Sequence, residues 1–261
     1  MVALWAGLVG AVIGSFLNVV IYRVPAGLSI ARPPSACPTC HTQIRARDNV
    51  PILSWLALRG RCRTCREPIS RRYPVVEAVT AVLFAAVALH FGLATTDAWS
   101  ILPFWVLTAA AVALSAIDLD TGRLPDPIVG FAYAAGGVAL LGATLAGAGD
   151  GPGALGRAAL GAAALFALHL VAFLAYPKGI GFGDVKLAGV TGMFLAWLGW
   201  GPLLVGVLAS YVVGLLAVVV LAACGRGTRA IPFGPAMFAG AWLGVAVGAP
   251  MWHTYLQVMG L

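Results

Sequence analysis

The chain has 261 residues, of which 61% are apolar and only 10% charged, and 33 are glycine. A soluble domain carries roughly a quarter charged residues, so this composition excludes an ordinary water-soluble globule and describes a chain whose main solvent is lipid. The formal charge of +7 is no sign of a nucleic-acid binder, because ten of the sixteen basic residues lie between Arg23 and Arg72 and the others stand singly beside apolar runs. That distribution is a positive-inside topology signal, with a lipid bilayer and no nucleic acid as the expected surroundings.

The first apolar run extends from Val2 to about Tyr22 with no basic segment before it. It is too long for the apolar core of a signal peptide and reads as a retained span. A span needs roughly 20 apolar residues. Eight segments qualify, near 2–22, 74–93, 99–117, 127–147, 154–176, 185–200, 202–224 and 232–257, the sixth being the shortest. The expected fold is therefore an all-α polytopic membrane protein with about eight transmembrane helices. Its expected divisions are a first transmembrane helix over 1–23, a cytosolic loop over 24–73, and a membrane domain over 74–261 holding about seven helices. No internal repeat is evident.

Basic residues fix the expected orientation. With 24–73 in the cytosol, the loops near 118–126, 177–184 and 225–231 fall on the same side. Fifteen of the sixteen basic residues then lie inside or at the inner boundary, including Arg123, Lys178, Lys186, Arg226 and Arg229. Only Arg157 falls outside, where Asp97 and Asp150 also lie, and both termini face outward. The expected location is an inner, cytoplasmic membrane with the 24–73 loop facing the cytosol.

The loop at 24–73 carries Cys37-Pro-Thr-Cys40 and Cys62-Arg-Thr-Cys65, two CxxC pairs separated by 21 residues. Each pair can present two thiolates to one ion, and four cysteines close a structural zinc site. The spacing is one residue beyond the usual zinc-ribbon range. A redox pair of pairs needs an oxidising compartment, which the orientation denies to this loop. A loop of about fifty residues also needs a staple, having little core of its own. His41 reads as a bystander and Cys224 as a small packing residue. Asn18, polar in an apolar span, is suited to a hydrogen bond with a neighbouring helix or to contact with a substrate.

Acidic residues at a membrane edge are costly and are functional candidates by default. Asp118, Asp120 and Asp126 cluster where the third span leaves the membrane, and Asp184 opens the sixth span in Gly181-Phe-Gly-Asp184-Val-Lys186. All lie at one face. Two facing carboxylates can share a proton, one acting as base on water and the other as acid, which is aspartyl protease chemistry. Gly181 and Gly183 would let the backbone come close to a substrate. Asp184 also suits a helix cap, Asp120 a solvated turn, and Asp126 a cap of the fourth span.

Four blocks resemble the type IV prepilin peptidase family, part of the GxGD group of membrane aspartyl proteases. They are Gly14-Ser-Phe-Leu-Asn-Val-Val-Ile-Tyr-Arg23 with Pro25, the paired CxxC loop, Asp118 with Leu124-Pro125-Asp126, and Gly181-Phe-Gly-Asp184-Val-Lys186. The resemblance spans essentially the whole chain and implies that Asp118 and Asp184 are the catalytic pair. It also implies cleavage of a short basic leader from prepilins or pseudopilins on the cytosolic side. Members with the four-cysteine loop are generally bifunctional, so methylation of the new N-terminus by S-adenosylmethionine is implied too. No glycine-rich nucleotide loop is visible, and a methyl-donor site would have to be built from the loop and adjacent helix ends. Glu77, in Arg72-Tyr-Pro-Val-Val-Glu77, is the candidate residue there, with pairing to Arg71 or Arg72 as the alternative. Rival functions are a membrane thiol oxidoreductase, which would place the CxxC pairs outside, and a transporter, which would show paired broken helices near the midplane.

Overall fold

A computed structural model describes residues 1–94, 98–225 and 231–260. Asp97, Arg226 and Arg229 lie outside the described residues. Among the described residues the architecture is all-α, the only β pairing being the isolated bridges Ala36–Gln43 and Arg61–Pro68. In chain order the helices are α1 (Val2–Arg23), α2 (Leu53–Ala57), α3 (Arg72–Ala94), α4 (Ile101–Thr121), α5 (Asp126–Leu145), α6 (Pro152–Ala175), α7 (Phe182–Leu198), α8 (Trp200–Ala223) and α9 (Gly234–Met259). Seven of them are long and apolar enough to cross a membrane. The remaining long helix, α7, is 17 residues, about 25 Å at the α-helical rise and shorter than a typical hydrocarbon core. It lies inside the bundle, with eleven of its residues buried. Protein rather than lipid therefore surrounds it.

The chain forms two compact units, Met1–Ala94 and Thr95–Leu261. In the first, α1 and α3 lie against each other, and small residues let the backbones approach. A Cβ on Gly10 would stand 2.8 Å from the Ala81 Cα, and one on Gly14 would stand 2.8 Å from the Glu77 Cα. Asn18 donates to the Tyr73 carbonyl at 3.2 Å, the hydrogen bond to a neighbouring helix that is one of its two expected roles.

In the second unit α7 packs against α5, α6, α8 and α9. Phe104 of α4 meets Phe194 edge-on at 5.7 Å, and the buried Trp197 indole donates to the Thr144 hydroxyl at 2.9 Å. Leu168, Val171 and Leu174 of α6 and Val212, Leu215 and Val219 of α8 are exposed. In water they would form a sticky face; in a bilayer they are the surface the lipid covers. Arg157, the exception to the charge rule, is neutralised. Its guanidinium forks onto Asp150 at 2.7 Å and caps the α7 carbonyls of Ala196 and Trp197 at 3.2 Å. A cation at a helix C-terminus is where the backbone dipole favours one.

Candidate active site and metal centre

Four helix ends meet at the other end of the second unit. Helix α4 stops at Gly122, which takes the left-handed conformation (φ +62°) and donates its N–H to the Asp118 carbonyl at 2.8 Å. The chain turns through Leu124 and Pro125 into α5. Leu124 is buried and serves as the contact for two further helix starts. A Cβ on Gly183 of α7 would lie 3.0 Å from the Leu124 Cβ, and one on Gly234 of α9 would lie 3.3 Å from the Leu124 Cδ2. These contacts bring Asp118 and Asp184 to one place although 66 positions separate them.

Asp118 is 5% exposed, and its Oδ2 accepts the Gly234 N–H at 3.0 Å. Gly234 is the residue that sequence reasoning missed. A Cβ there would stand 2.7 Å from the Asp118 Oδ2, so only glycine offers its N–H at this range. The signal was present in Ile231-Pro-Phe-Gly-Pro235, a glycine before a proline at a helix start. Asp184 occupies the third position of α7, not the cap; the cap is Gly181, whose N–H donates to the Asp184 Oδ2 at 3.2 Å. This is one half of a capping box, and it holds the carboxylate at the helix start. Both carboxylates border the Leu124 turn, Asp118 through the Gly234 N–H and Asp184 next to Gly183. Gly181 and Gly183 have ordinary backbone angles, and close approach to Asp184 and Leu124 is what favours glycine at these positions.

The other two acids differ from expectation. Asp120 lies within the last turn of α4, which continues to Thr121, rather than in the turn beyond it. Asp126 is the first residue of α5 and does not cap it; the cap position is Pro125, and the Asp126 carboxylate forms an ion pair with Lys186 of α7.

In the first unit the sulfurs of Cys37, Cys40, Cys62 and Cys65 lie within 4.8 Å of one another. Cys37 and Cys65 are 3.7 Å apart, and Cys40 and Cys62 are 4.0 Å apart. A tetrahedron with Zn–S bonds of about 2.3 Å has sulfur–sulfur edges of about 3.8 Å. A disulfide would need about 2.05 Å. The donor set therefore fits a four-thiolate zinc centre. The two CxxC segments also repeat one backbone form. Cys37 N–H donates to Thr42 and His41 N–H returns to Cys37, while Cys62 N–H donates to Glu67 and Arg66 N–H returns to Cys62. His41 and Arg66 both take positive φ, at +56° and +63°. The loop thus contains a local duplication, marked in the residues by the shared Cys-x-Thr-Cys and by Ile44 and Ile69 at equivalent positions, and His41 contributes its backbone to the turn.

The thiols are electrostatically unequal. The Thr42 hydroxyl and backbone N–H draw the Cys40 thiol down to about 6, and the N–H groups of Cys65 and Thr64 lower Cys62. At Cys65 the Glu67 N–H lowers the thiol, but desolvation and the three neighbouring thiols outweigh it and push the value up to about 12. Four thiolates at this spacing need a cation among them.

Glu77 is 8% exposed, and where the sequence suggested an arginine partner its Oε2 accepts the Ile52 N–H at 2.7 Å. Ile52 has φ +60°, a conformation that a β-branched residue rarely adopts and that surrounding contacts must hold. Glu77 is therefore a clasp between α3 and the start of α2. Nearby, Asp48 and Arg63 form a forked ion pair at 2.5 to 3.0 Å, which holds the Asp48 carboxyl below the usual range.

Two family models match the chain, one in each compact unit. The Bacterial Peptidase A24 N-terminal domain matches residues 8–91, and the Type IV leader peptidase family matches residues 105–226. The prepilin leader peptidase/N-methyltransferase of Aeromonas hydrophila is 36% identical over 94% of this chain and 90% of that protein. Those of Stutzerimonas stutzeri and Neisseria gonorrhoeae are each 35% identical, over 97% and 95% of this chain and 93% and 91% of their own lengths. No solved structure matches. With similarity along almost its full length, and with both family models in their expected order, the chain belongs to the type IV leader peptidase family.

Proposed function

We propose that the chain is a membrane aspartyl endopeptidase that removes the leader peptide from type IV prepilins or pseudopilins, and that it then N-methylates the exposed amine. The observation that carries the reading is the meeting of Asp118 and Asp184 at one end of the helix bundle, each with one oxygen held by a backbone N–H. Two carboxylates close enough to interact titrate as a pair and share one proton. In the proposed reaction the ionised carboxylate takes a proton from water as the water oxygen attacks the scissile carbonyl carbon. The protonated partner first stabilises the oxyanion and then supplies a proton to the departing nitrogen. The C–N bond breaks, and a leader carboxylate and a free amine leave. Exposed Gly181 presents backbone with no side chain next to Asp184, which suits an extended substrate at that point.

The four cysteines would hold one zinc as a structural staple, supplying loop rigidity rather than chemistry. Relatives named as N-methyltransferases support the second activity, with S-adenosylmethionine as the proposed donor. The Glu77 carboxylate is engaged by the Ile52 N–H, and Glu77 is proposed to hold the loop from which the donor site is built. Glu77→Ala would leave the Ile52 N–H without its partner, and we expect methylation to fall about tenfold while cleavage stays within about threefold. Glu77→Gln keeps an acceptor oxygen and should retain both activities. Normal methylation by the Ala variant would remove Glu77 from this role.

The cytosolic face is proposed from the fifteen basic residues gathered at one side of the assigned topology. Inside-out inner-membrane vesicles carrying the protein should cleave added prepilin and shift the mature product by one methyl mass. Intact spheroplasts should leave the same substrate uncut. Cleavage by spheroplasts alone would invert the topology, and no cleavage in either preparation would overturn the peptidase reading.

A further inference from the structure

We propose that Lys186 and Asp126 are positioning residues that lock the rotation of α7 and thereby set the spacing of the carboxylate pair. The inference rests on the reading of Asp118 and Asp184 as that pair. Three contacts converge on Lys186. Its Nζ forms an ion pair with Asp126 at the start of α5, and it lies 5.2 Å from the centre of the Phe182 ring. Its backbone carbonyl accepts the Tyr133 hydroxyl of α5 at 2.9 Å. One residue is thus tied to α5 through both its side chain and its main chain. Tyr133 lies two turns along α5 from Asp126, so the two ties hold this one residue of α7 from separate heights on α5.

The placement of this strap decides what it does. Two positions along a helix lie about 200° apart, so Lys186 leaves α7 on nearly the opposite side from Asp184. Leu124 packs on Gly183, between the two. A carboxylate carbon sits about 5.5 Å from a helix axis, so a 10° rotation of α7 would displace Asp184 by about 1 Å. A displacement of that size can cost about two orders of magnitude in rate. Asp126 and Lys186 also flank the pair in sequence, eight residues after Asp118 and two after Asp184. The ion pair therefore joins the two segments that carry the carboxylates, close to each of them. With the Asp126 side chain 76% exposed, water screens the pair, and it adds little to global stability. Its effect is expected in turnover rather than in folding.

Charge reversal tests this. Asp126→Lys and Lys186→Asp singly should each lower kcat for prepilin cleavage at least about tenfold, with KM changed less than about threefold and the melting temperature nearly unchanged. The double reversal restores an ion pair across the same two positions and should recover kcat to within about threefold of the starting enzyme. Wild-type kcat in both single variants would overturn the inference, as would a double variant no better than the worse single one. Asp118→Asn and Asp184→Asn, measured in the same assay, separate the two readings. If these remain active, the carboxylate-pair reading falls; if they are dead while the single reversals are fully active, only the strap falls.

Discussion

Asp118→Asn and Asp184→Asn are each expected to reduce single-turnover cleavage of a prepilin by roughly 10⁴-fold, and the double variant should lose little more, because an acid–base pair acts as a unit. Asparagine is an informative replacement at both positions. In the Asp118→Asn variant the new amide oxygen can still accept the Gly234 N–H, and in the Asp184→Asn variant it can still accept the Gly181 N–H. Both backbone contacts survive, while the titratable proton does not. Losing the Asp184 acceptor at the start of α7 altogether would cost only about 1 kcal/mol of stability, the worth of one such hydrogen bond, and asparagine keeps an acceptor oxygen there. A folded Asp184→Asn protein without activity therefore excludes a purely structural role for that side chain. Asp120→Asn provides the contrast, since Asp120 is exposed on the last turn of α4, and it should keep substantial activity. Substantial cleavage by either Asp118→Asn or Asp184→Asn, or complete loss in Asp120→Asn, would mean that the wrong carboxylates have been paired.

Much of this arrangement is legible in the residues, for identifiable reasons. Apolar run length is a direct consequence of bilayer thickness, so the long helices follow from it, and even α7 lies within three residues of its expected start. Membrane acids are costly enough that Asp118 and Asp184 stand out without any structure. Paired CxxC segments declare a thiol cluster, and the sulfur spacing agrees. What the residues conceal is contact at a distance. Gly234 lies 116 positions from the carboxylate it supports, and its place before Pro235 marks a helix start without naming that partner. Asp126 reads locally as a cap because it precedes a helix-starting proline, yet a lysine 60 positions away claims its carboxylate. Glu77 reads as a candidate methyl-transfer residue or as a partner for nearby arginines, and neither reading names the Ile52 backbone N–H that its carboxylate accepts. The CxxC turns repeat Cys-x-Thr-Cys openly, but the positive φ they share falls on His41 and Arg66, residue types that give no sign of it. Local rules identify which residues are expensive, and tertiary packing decides which group meets the expense.

Replacing Cys37 and Cys62 with serine should lower the metal content from about one zinc per chain to near zero, because it removes one thiolate from each CxxC pair. The remaining sulfurs cannot compensate. Cys40 and Cys65 are held in separate turns, and a two-thiolate site would need water or another side chain to complete a tetrahedron. His41 is the adjacent nitrogen donor, but its positive φ is set by the turn, and its ring is exposed. The same geometry states what happens to the loop. The isolated bridges Ala36–Gln43 and Arg61–Pro68 belong to the two turns, and the turns meet each other through the sulfurs. Away from that cluster the loop is held by a few separate contacts: the Asp48–Arg63 ion pair, whose arginine is half exposed, the Trp55 indole bond to the Ile69 carbonyl at 3.1 Å, and the Glu77–Ile52 clasp. No dense apolar core lies behind them, since neither α2 nor the short helical turn at Ala46–Asp48 has a buried residue. The double serine variant should therefore expose the loop to trypsin at its many arginines, while α1 and α3 remain packed through Gly10 and Gly14. Methylation should suffer more than cleavage, because the carboxylate pair belongs to the other compact unit. Metal analysis, limited proteolysis and both activity assays on one preparation distinguish the outcomes. A full zinc complement in the variant would place the ligands elsewhere, and a metal-free loop that resists trypsin as well as the parent would show that the staple is not what orders it.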